Sequence, residues 1–469
     1  MADSNDNDGS SQKSAAAERL AQVSNHLSSP NAANDKKPRS RSRRRNKPAN
    51  DLPADYSDIL AHLSTLHTLA NTPDPSHRGY ARQKASGKLW VRERVAQLLD
   101  RDSFREVGSA SGEVAWLPDP QNALRETPAS FTPSNNVQGF GALRGRKVLF
   151  TADDFSLRAG HADGALAAKT VYMEKLALAL RLPMVKLVDG SSGGGSVTSI
   201  RKEGWSYIPP MQGFGEVVQQ LNAGIPNLGA VLGPAIGLGA ARVTACHFSV
   251  MARDVGALFN AGPKVVAGAT FEEVNAGALD ALGSQKITRH LKFLDVFNIP
   301  CVQFVDIPGY AVGTVAERTA TMRHGVTLAT TYYSTSIPIF SVIVRRVYGV
   351  AGGIMVDSRD PHMRVAWPSG EWGSLPLDGG IEAGHAHELK AIEKNEGKEK
   401  MKERYNELEQ EYRRLMNPVR TANAFGIEEI VDPAVTRPVL AEWTRHVYEA
   451  LLPLRVQQRI AGTLKPSFA

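Results

Sequence analysis

The chain has 469 residues, 42% of them hydrophobic, which is too long for one ordinary domain and apolar enough for two packed cores. Its formal charge of +7 suggests a nucleic-acid partner, but residues 36–47 (KKPRSRSRRRNK) alone carry eight Lys or Arg, and without them the chain stands at −1. The basicity belongs to a tail, so the body is not that of a nucleic-acid binder.

Residues 1–52 are rich in Ser, Asn, Asp, Ala, Lys and Arg and bury too little apolar surface to fold, so a disordered tail is expected there. The acidic opening MADSNDNDG is unlike a mitochondrial transit peptide. The basic run fits a nuclear import signal, a phosphate-binding arm or a plain solvated linker. From Tyr56 to Phe104 apolar residues recur at helical spacing, at Ile59, Leu60, Leu63 and Leu66 and again at Val91, Val95, Leu98 and Leu99. Strand-like segments begin near Val137 and alternate with helices to about Tyr348, which predicts an α/β protein. The longest charge-free stretch, Val217 to Ala241, holds Pro226, Pro234 and repeated glycines; it reads as buried strand and loop and not as a membrane span. Residues 382–416 are strongly charged at helical spacing, which predicts a long surface helix or helical pair, a candidate contact for another subunit. Cys246 and Cys301 are the two cysteines, too isolated for a disulfide framework or a zinc site, so no metal is expected and a reducing compartment fits.

An internal repeat dominates the middle of the chain. KTVYMEKLALALRLPMVKLVD (169–189) and KITRHLKFLDVFNIPCVQFVD (286–306) each read as a helix, a proline (Pro183, Pro300) and an apolar strand closing on Val-Asp, at an offset of 117. Glycine loops follow both, GSSGGGS (190–196) and IPGYAVG (307–313). Further on, GIPNLGAVLGPAIGLGAA (224–241) matches SIPIFSVIVRRVYGVAGG (336–353) at an offset of 112. Two copies of one supersecondary unit imply a duplicated fold.

Glycines after a buried strand let the backbone approach a ligand and aim bare N–H groups at it. No Gly-Lys-Ser/Thr follows, which excludes a nucleotide P-loop, and GLGAAR lacks the spacing of a dinucleotide fingerprint. An oxyanion site remains, in which each N–H donor contributes about 3 kcal/mol to lowering a barrier. The same glycines also suit tight turns with no ligand at all.

Several segments resemble the carboxyltransferase subunits of propionyl-CoA and methylcrotonyl-CoA carboxylases. They are GKLWVRERVAQLLDRDSFREVG (87–108), QGFGALRGRKVLFTADDF (138–155), LPMVKLVDGSSGGGS (182–196), RHLKFLDVFNIPCVQFVDIPGYAVGTVAERTATMRHG (289–325), VIVRRVYGVAGGIM (342–355), MRVAWPSGE (363–371) and NPVRTANAFGIEEIVDPAVTRPVL (417–440). The resemblance implies an α/β chain of two tandem crotonase-like (ClpP/crotonase) lobes, 53–285 for acyl-CoA and 286–469 for biotin. It implies carboxyl transfer from carboxybiotin, carried on another chain, to the α-carbon of a coenzyme A thioester, with no side-chain base. It places the acyl oxyanion amides on Gly193 and Gly194, the biotin ureido amides on Val350 and Ala351, and further ligand contacts on Gly195, Gly349, Gly352, Gly353 and Arg345. The implied partners are a biotin carboxylase and a biotin carboxyl carrier subunit, together with further copies of the chain. The alternatives are a non-catalytic paralogue and an acyl-CoA decarboxylase of the same fold. The expected compartment is the cytoplasm or, by family analogy, the mitochondrial matrix.

The chain departs from the family in three places. Val350 stands where glycine is usual, and Gly353 occupies a position associated with acyl-chain choice, where a missing side chain suggests more room. The second lobe lacks framing strands: ALDALGSQKITRH (278–290) runs straight into its helix at Lys286, leaving the lobe short by roughly a hundred residues, most of a domain's worth. Other candidates are open between two roles each. Asp189 and Asp306 either cap the glycine loops or orient ligands. His324 packs on a helix or titrates. Arg345 and Arg346 steer an anion or form ion pairs, and Lys88, Arg92 and Arg94 meet CoA phosphates or line a solvated helix face.

Overall fold

A computed structural model describes residues 56–262 and 277–464; the tail expected over 1–52 lies outside them. The amino-terminal helical region forms three helices, Ser57–Asn71, Arg78–Ala85 and Val91–Leu98. The first sheet then runs in the order β1 (Arg105–Glu106), β4 (Asn136–Leu143), β5 (Arg146–Asp153), β6 (Met184–Gly190), β7 (Asn227–Ile236) and β8 (Phe248–Met251), with β9 (Ala257–Phe259) also on β7. β1, β4 and β5 pair antiparallel, and from β5 onward the pairing is parallel. β2 (Gly112–Asp119) and β3 (Asn122–Pro133) form a sheet of their own. The second sheet is all parallel, in the order β10 (Cys301–Ile307), β11 (Ile339–Tyr348) and β12 (Arg364–Ala366), with β13 (Glu371–Gly373) also on β11.

The repeat is reproduced in the strand register. Met184 pairs with Asn227 and Cys301 with Ile339, at the offsets of 117 and 112 read from the sequence. The register shifts between Val188 and Gly190 in one sheet and between Val305 and Ile307 in the other, at equivalent positions. The helices that feed these strands end alike: Arg181 (φ 52°) and Asn298 (φ 57°) adopt the left-handed cap conformation, and each is followed two residues later by a proline. The second of these helices begins at Ala281, where the Asp280 carboxylate accepts the Gly283 N–H at 2.6 Å. The boundary expected at 285/286 therefore falls inside that helix.

The largest apolar core lies between the two halves of the repeat. Phe214, Val217, Val218, Ala240 and Ala241 meet Leu291, Leu294, Val326, Leu328, Ala329 and Tyr332 there. The neighbours of β6 and β10 differ. β6 is buried along its whole length, with β5 on one side and β7 on the other. β10 has no partner beyond β11 among the described residues, and Val302 and Phe304 on it are 37% and 57% exposed. The charged stretch forms a helical pair, Ala386–Glu396 and Lys398–Leu415, broken at Gly397 with φ 95°. Leu408 and Tyr412 of that pair pack on Val197 and Ile200, and Arg201 holds Glu411 through two hydrogen bonds of 2.7 and 2.6 Å.

Candidate functional site

The first glycine loop joins β6 to the helix Val197–Glu203. Ser192 takes a left-handed φ of 49°, and its hydroxyl donates to the buried Asp153 carboxylate, which also accepts the Asp189 N–H at 3.3 Å. Burial pushes Asp153 up to about 6, against the field of Arg242 and the Ser192 hydrogen bond. The loop is thus tied to the end of β5. The two N–H groups expected to face a substrate are engaged inside the loop: Gly193 donates to the Gly160 carbonyl and Gly194 to the Ser191 carbonyl, both at 2.8 Å. Gly195 has no side chain because the Tyr207 hydroxyl and Ser374 stand where its Cβ would project. A feature with no signature in the sequence is the Ser191 hydroxyl, 2.9 Å from His161 Nδ1, with burial lowering the histidine's affinity for a proton.

The second loop opens with Gly349 at φ 62° and turns into the helix Gly349–Met355. Val350 lies within that helix, a region β-branched residues adopt without strain. The Val350 and Ala351 N–H groups find no acceptor among the described residues. Leu238 and Gly239 occupy the equivalent positions in the first half of the repeat, and their N–H groups also lack one. Gly352 permits contact with the Val347 backbone, 2.7 Å from where a Cβ would stand. At Gly353 the structure corrects the expectation of extra room: the Pro209 carbonyl already fills the direction of a side chain, so glycine serves close packing there.

The charged candidates are paired. Asp189 is fully buried against Arg94 at 2.6 Å and Lys88 at 3.8 Å; burial raises its pKa while Arg94 opposes the shift. Arg92 grips Glu106 at 2.8 and 3.1 Å. None of these three cations lines a solvated face or waits for a phosphate. Asp306 receives Arg346 at 2.7 and 3.1 Å, and that hydrogen bonding lowers its pKa. Arg345 is 60% exposed and 4.0 Å from Glu371. His324 is half-buried on the helix Thr321–Ser334. Among the described residues no group of His, Cys, Asp and Glu is placed to hold a metal, and no helix is long and apolar enough to cross a membrane.

Both glycine loops meet at Ser374, just after β13. Its side chain packs on Gly195, and its carbonyl lies 3.5 Å from the Cβ direction of Gly349. Val197, just after the first loop, and Tyr348, just before the second, share one apolar cluster under the charged helical pair.

A model of the carboxyl transferase domain matches residues 82–282 and 265–458. The chain is similar to the carboxyltransferase subunit of propionyl-CoA carboxylase from Haloferax mediterranei, with 23% identity over 76% of this chain and 90% of that one. It is also similar to the alpha subunit of methylmalonyl-CoA decarboxylase from Veillonella parvula, with 22% identity over 76% and 90%. Among solved structures it resembles the transcarboxylase 12S hexamer with methylmalonyl-coenzyme A bound, at 19% identity and a TM-score of 0.36, covering 85% of this chain and 96% of that chain.

Proposed function

The chain belongs to the carboxyl transferase domain family, and we propose that it moves a carboxyl group between biotin, carried on another chain, and the α-carbon of an acyl-CoA. The observation that carries this reading is the meeting at Ser374 of two glycine loops, one from each half of the repeat, the second of them with two N–H groups, Val350 and Ala351, that have no acceptor among the described residues. A ureido oxygen needs N–H donors and no side-chain base, and this pair fits that requirement. When bound, carboxylated biotin supplies the carboxyl group. Val350 and Ala351 hold the ureido oxygen, Gly349 and Gly352 keep the backbone close, and the exposed Arg345 lies on the strand that leads into this loop.

For the thioester oxygen, the engagement of Gly193 and Gly194 within their own loop favours their neighbours. Leu238 and Gly239 repeat the placement of Val350 and Ala351, and their N–H groups have no acceptor among the described residues, so the reading assigns the enolate oxygen to them. Gly239 is glycine because the Gly190 carbonyl packs against it. Each donor is expected to lower the barrier by about 3 kcal/mol. The same reading implies assembly with biotin carboxylase and carrier chains and with further copies of this chain.

The test is the reverse half-reaction. Purified protein receives malonyl-, methylmalonyl- or methylglutaconyl-CoA with and without free biotin, and loss of the carboxyl group is followed. Biotin-stimulated loss is expected, and the best thioester names the substrate. Loss without biotin would mark a decarboxylase. No loss from folded protein would favour a non-catalytic relative, a second reading supported by the engaged loop amides and the Pro209 carbonyl packed against Gly353.

A further inference from the structure

Among the described residues each large sheet has one open edge, and the other half of the repeat shows what closes the equivalent edge. In the first half β5 pairs with β6, and Val185 and Leu187 of β6 are buried with Phe150 of β5 and Val95 of the amino-terminal helices. Their equivalents at the offset of 117, Val302 and Phe304, lie exposed on β10, whose only described partner is β11. In the second half residues 429–431 close the outer edge of β12. There Ala366 donates its N–H to the Glu429 carbonyl at 2.9 Å and accepts the Val431 N–H at 2.8 Å, and β12 is buried throughout. Its counterpart β8 has β7 as its only described partner, and all four of its residues are exposed, Phe248 at 62%.

The two edges are complementary. β8 is a strand bare on both faces, whereas β10 borders a slot walled on both faces with no described strand in it. In the first half β5 fills that slot: Leu149 meets Leu176 on one face and Phe150 meets Leu187 on the other. In the second half Phe293, at the position of Leu176 on the helix Ala281–Phe297, is 50% exposed. On the opposite face Phe304, Trp367 and Leu440 line an open, mostly apolar cavity of about 740 Å³. Neither Phe248–Met251 nor 301–305 holds a charge or a proline, the devices by which edge strands ordinarily refuse a partner. His247 donates its N–H to Asn227 beside it and Cys301 to Pro338, both at 2.9 Å, so the backbone groups of Phe248, Val250, Val302 and Phe304 turn outward.

We propose that β8 of a second copy of the chain docks antiparallel on β10, with Phe248 across from Phe304 and Val250 across from Val302. This register sets apolar against apolar at both pairs, on the face that holds Trp367. A slip of two residues would set Phe248 against Asp306 or Val250 against Pro300. Ser249 and Met251 then fall across from Gln303 and Cys301, on the face toward Phe293. Unlike edges join head to tail, so the copies form a ring or a longer array. The contact goes beyond the carboxyltransferase reading and does not rest on it, since neither glycine loop takes part.

The experiment follows the mass of the full chain by sedimentation velocity. Wild type is expected to assemble, and Phe304→Lys or Val250→Lys to lower its mass about twofold or more. Mixing the two variants should restore a one-to-one pair, because one keeps the strand and the other keeps the slot. Under oxidation Met251→Cys should form an interchain disulfide with the native Cys301 of a neighbouring copy, and adding Cys301→Ser should abolish it. A monomeric wild type, masses that ignore both lysines, variants that stay apart when mixed, or a disulfide that survives Cys301→Ser would each overturn the proposal. A monomeric wild type would leave the two edges to other residues of the same chain or to a different protein. Thermal melting checks folding, and Val302→Lys and Ser249→Lys stand in for a variant that does not fold.

Discussion

Five equivalent positions of the repeat hold different chemistry in its two halves. In the first half Glu174 lies buried between Lys186 at 3.0 Å and Arg242 at 3.2 Å, with the Gln220 amide donating to its carbonyl at 2.8 Å and Asn227 bonded to Gln220. Burial alone would raise the Glu174 pKa, and the two cations outweigh it and hold the carboxylate below its usual range. The corresponding residues of the second half are Leu291, Gln303, Ile354, Tyr332 and Ile339. There a single polar relay remains: the Tyr332 hydroxyl donates to Gln303 at 2.7 Å, and the Gln303 amide donates to Ser341 and the Met355 carbonyl at 2.8 and 2.7 Å. One strand register supports an ion cluster in one half and an uncharged relay among apolar residues in the other, so the register does not depend on either. What the ion cluster adds is reach toward the glycine loop. Arg242 acts on Asp153, which holds Ser192, and the described part of the second half has no strand equivalent to β5 to bear such a residue.

The sharpest way to break the comparison is to move one half toward the other. Glu174→Leu alone strands two buried cations and is expected to cost about 3–5 kcal/mol in urea unfolding. The combination Glu174→Leu, Lys186→Gln and Arg242→Ile, which copies the second half, should recover most of that loss; a single substitution no worse than the triple would show that the cluster is not coupled.

Asp153 offers the next largest effect. In the folded chain it keeps its proton to about 6, whereas an unperturbed carboxyl releases it near 3.8, so the folded state loses stability as pH rises through that window. Asp153→Asn cannot ionise and should remove on the order of 2–3 kcal/mol of that fall, read as the difference between the two stability profiles. Parallel profiles would place the carboxylate outside the buried network.

Gly353→Ala should cost about 1–3 kcal/mol by pressing on the Pro209 carbonyl. A neutral outcome there would restore the reading of open space for an acyl chain. The smallest effect belongs to Arg345→Ala, where an exposed, 4.0 Å pair with Glu371 contributes at most about 1 kcal/mol. Reduced biotin-dependent turnover with unchanged stability would then mark Arg345 as a ligand contact.

The amino-acid sequence by itself determined the α/β class, the two copies of the repeat, the proline after each helix and the charged helical pair. Such features follow from periodicities and turn residues that act over a few positions, which is why Met184 and Cys301 fall in the same register. The tertiary structure alone decided which glycine N–H groups remain available, which cation neutralises each strand-end aspartate, and that Ser374 joins the two loops. Gly193 and Gly194 carry the local signature of an oxyanion site, yet Gly160, brought in from a turn before the repeat helix, takes one donor, and Ser191 takes the other. Asp189 and Asp306 stand at equivalent positions, but Arg94 reaches one from the amino-terminal helices while Arg346 reaches the other from the next strand. Occupancy of a hydrogen-bonding group depends on partners distant in the chain, and in a buried site every such group must find one.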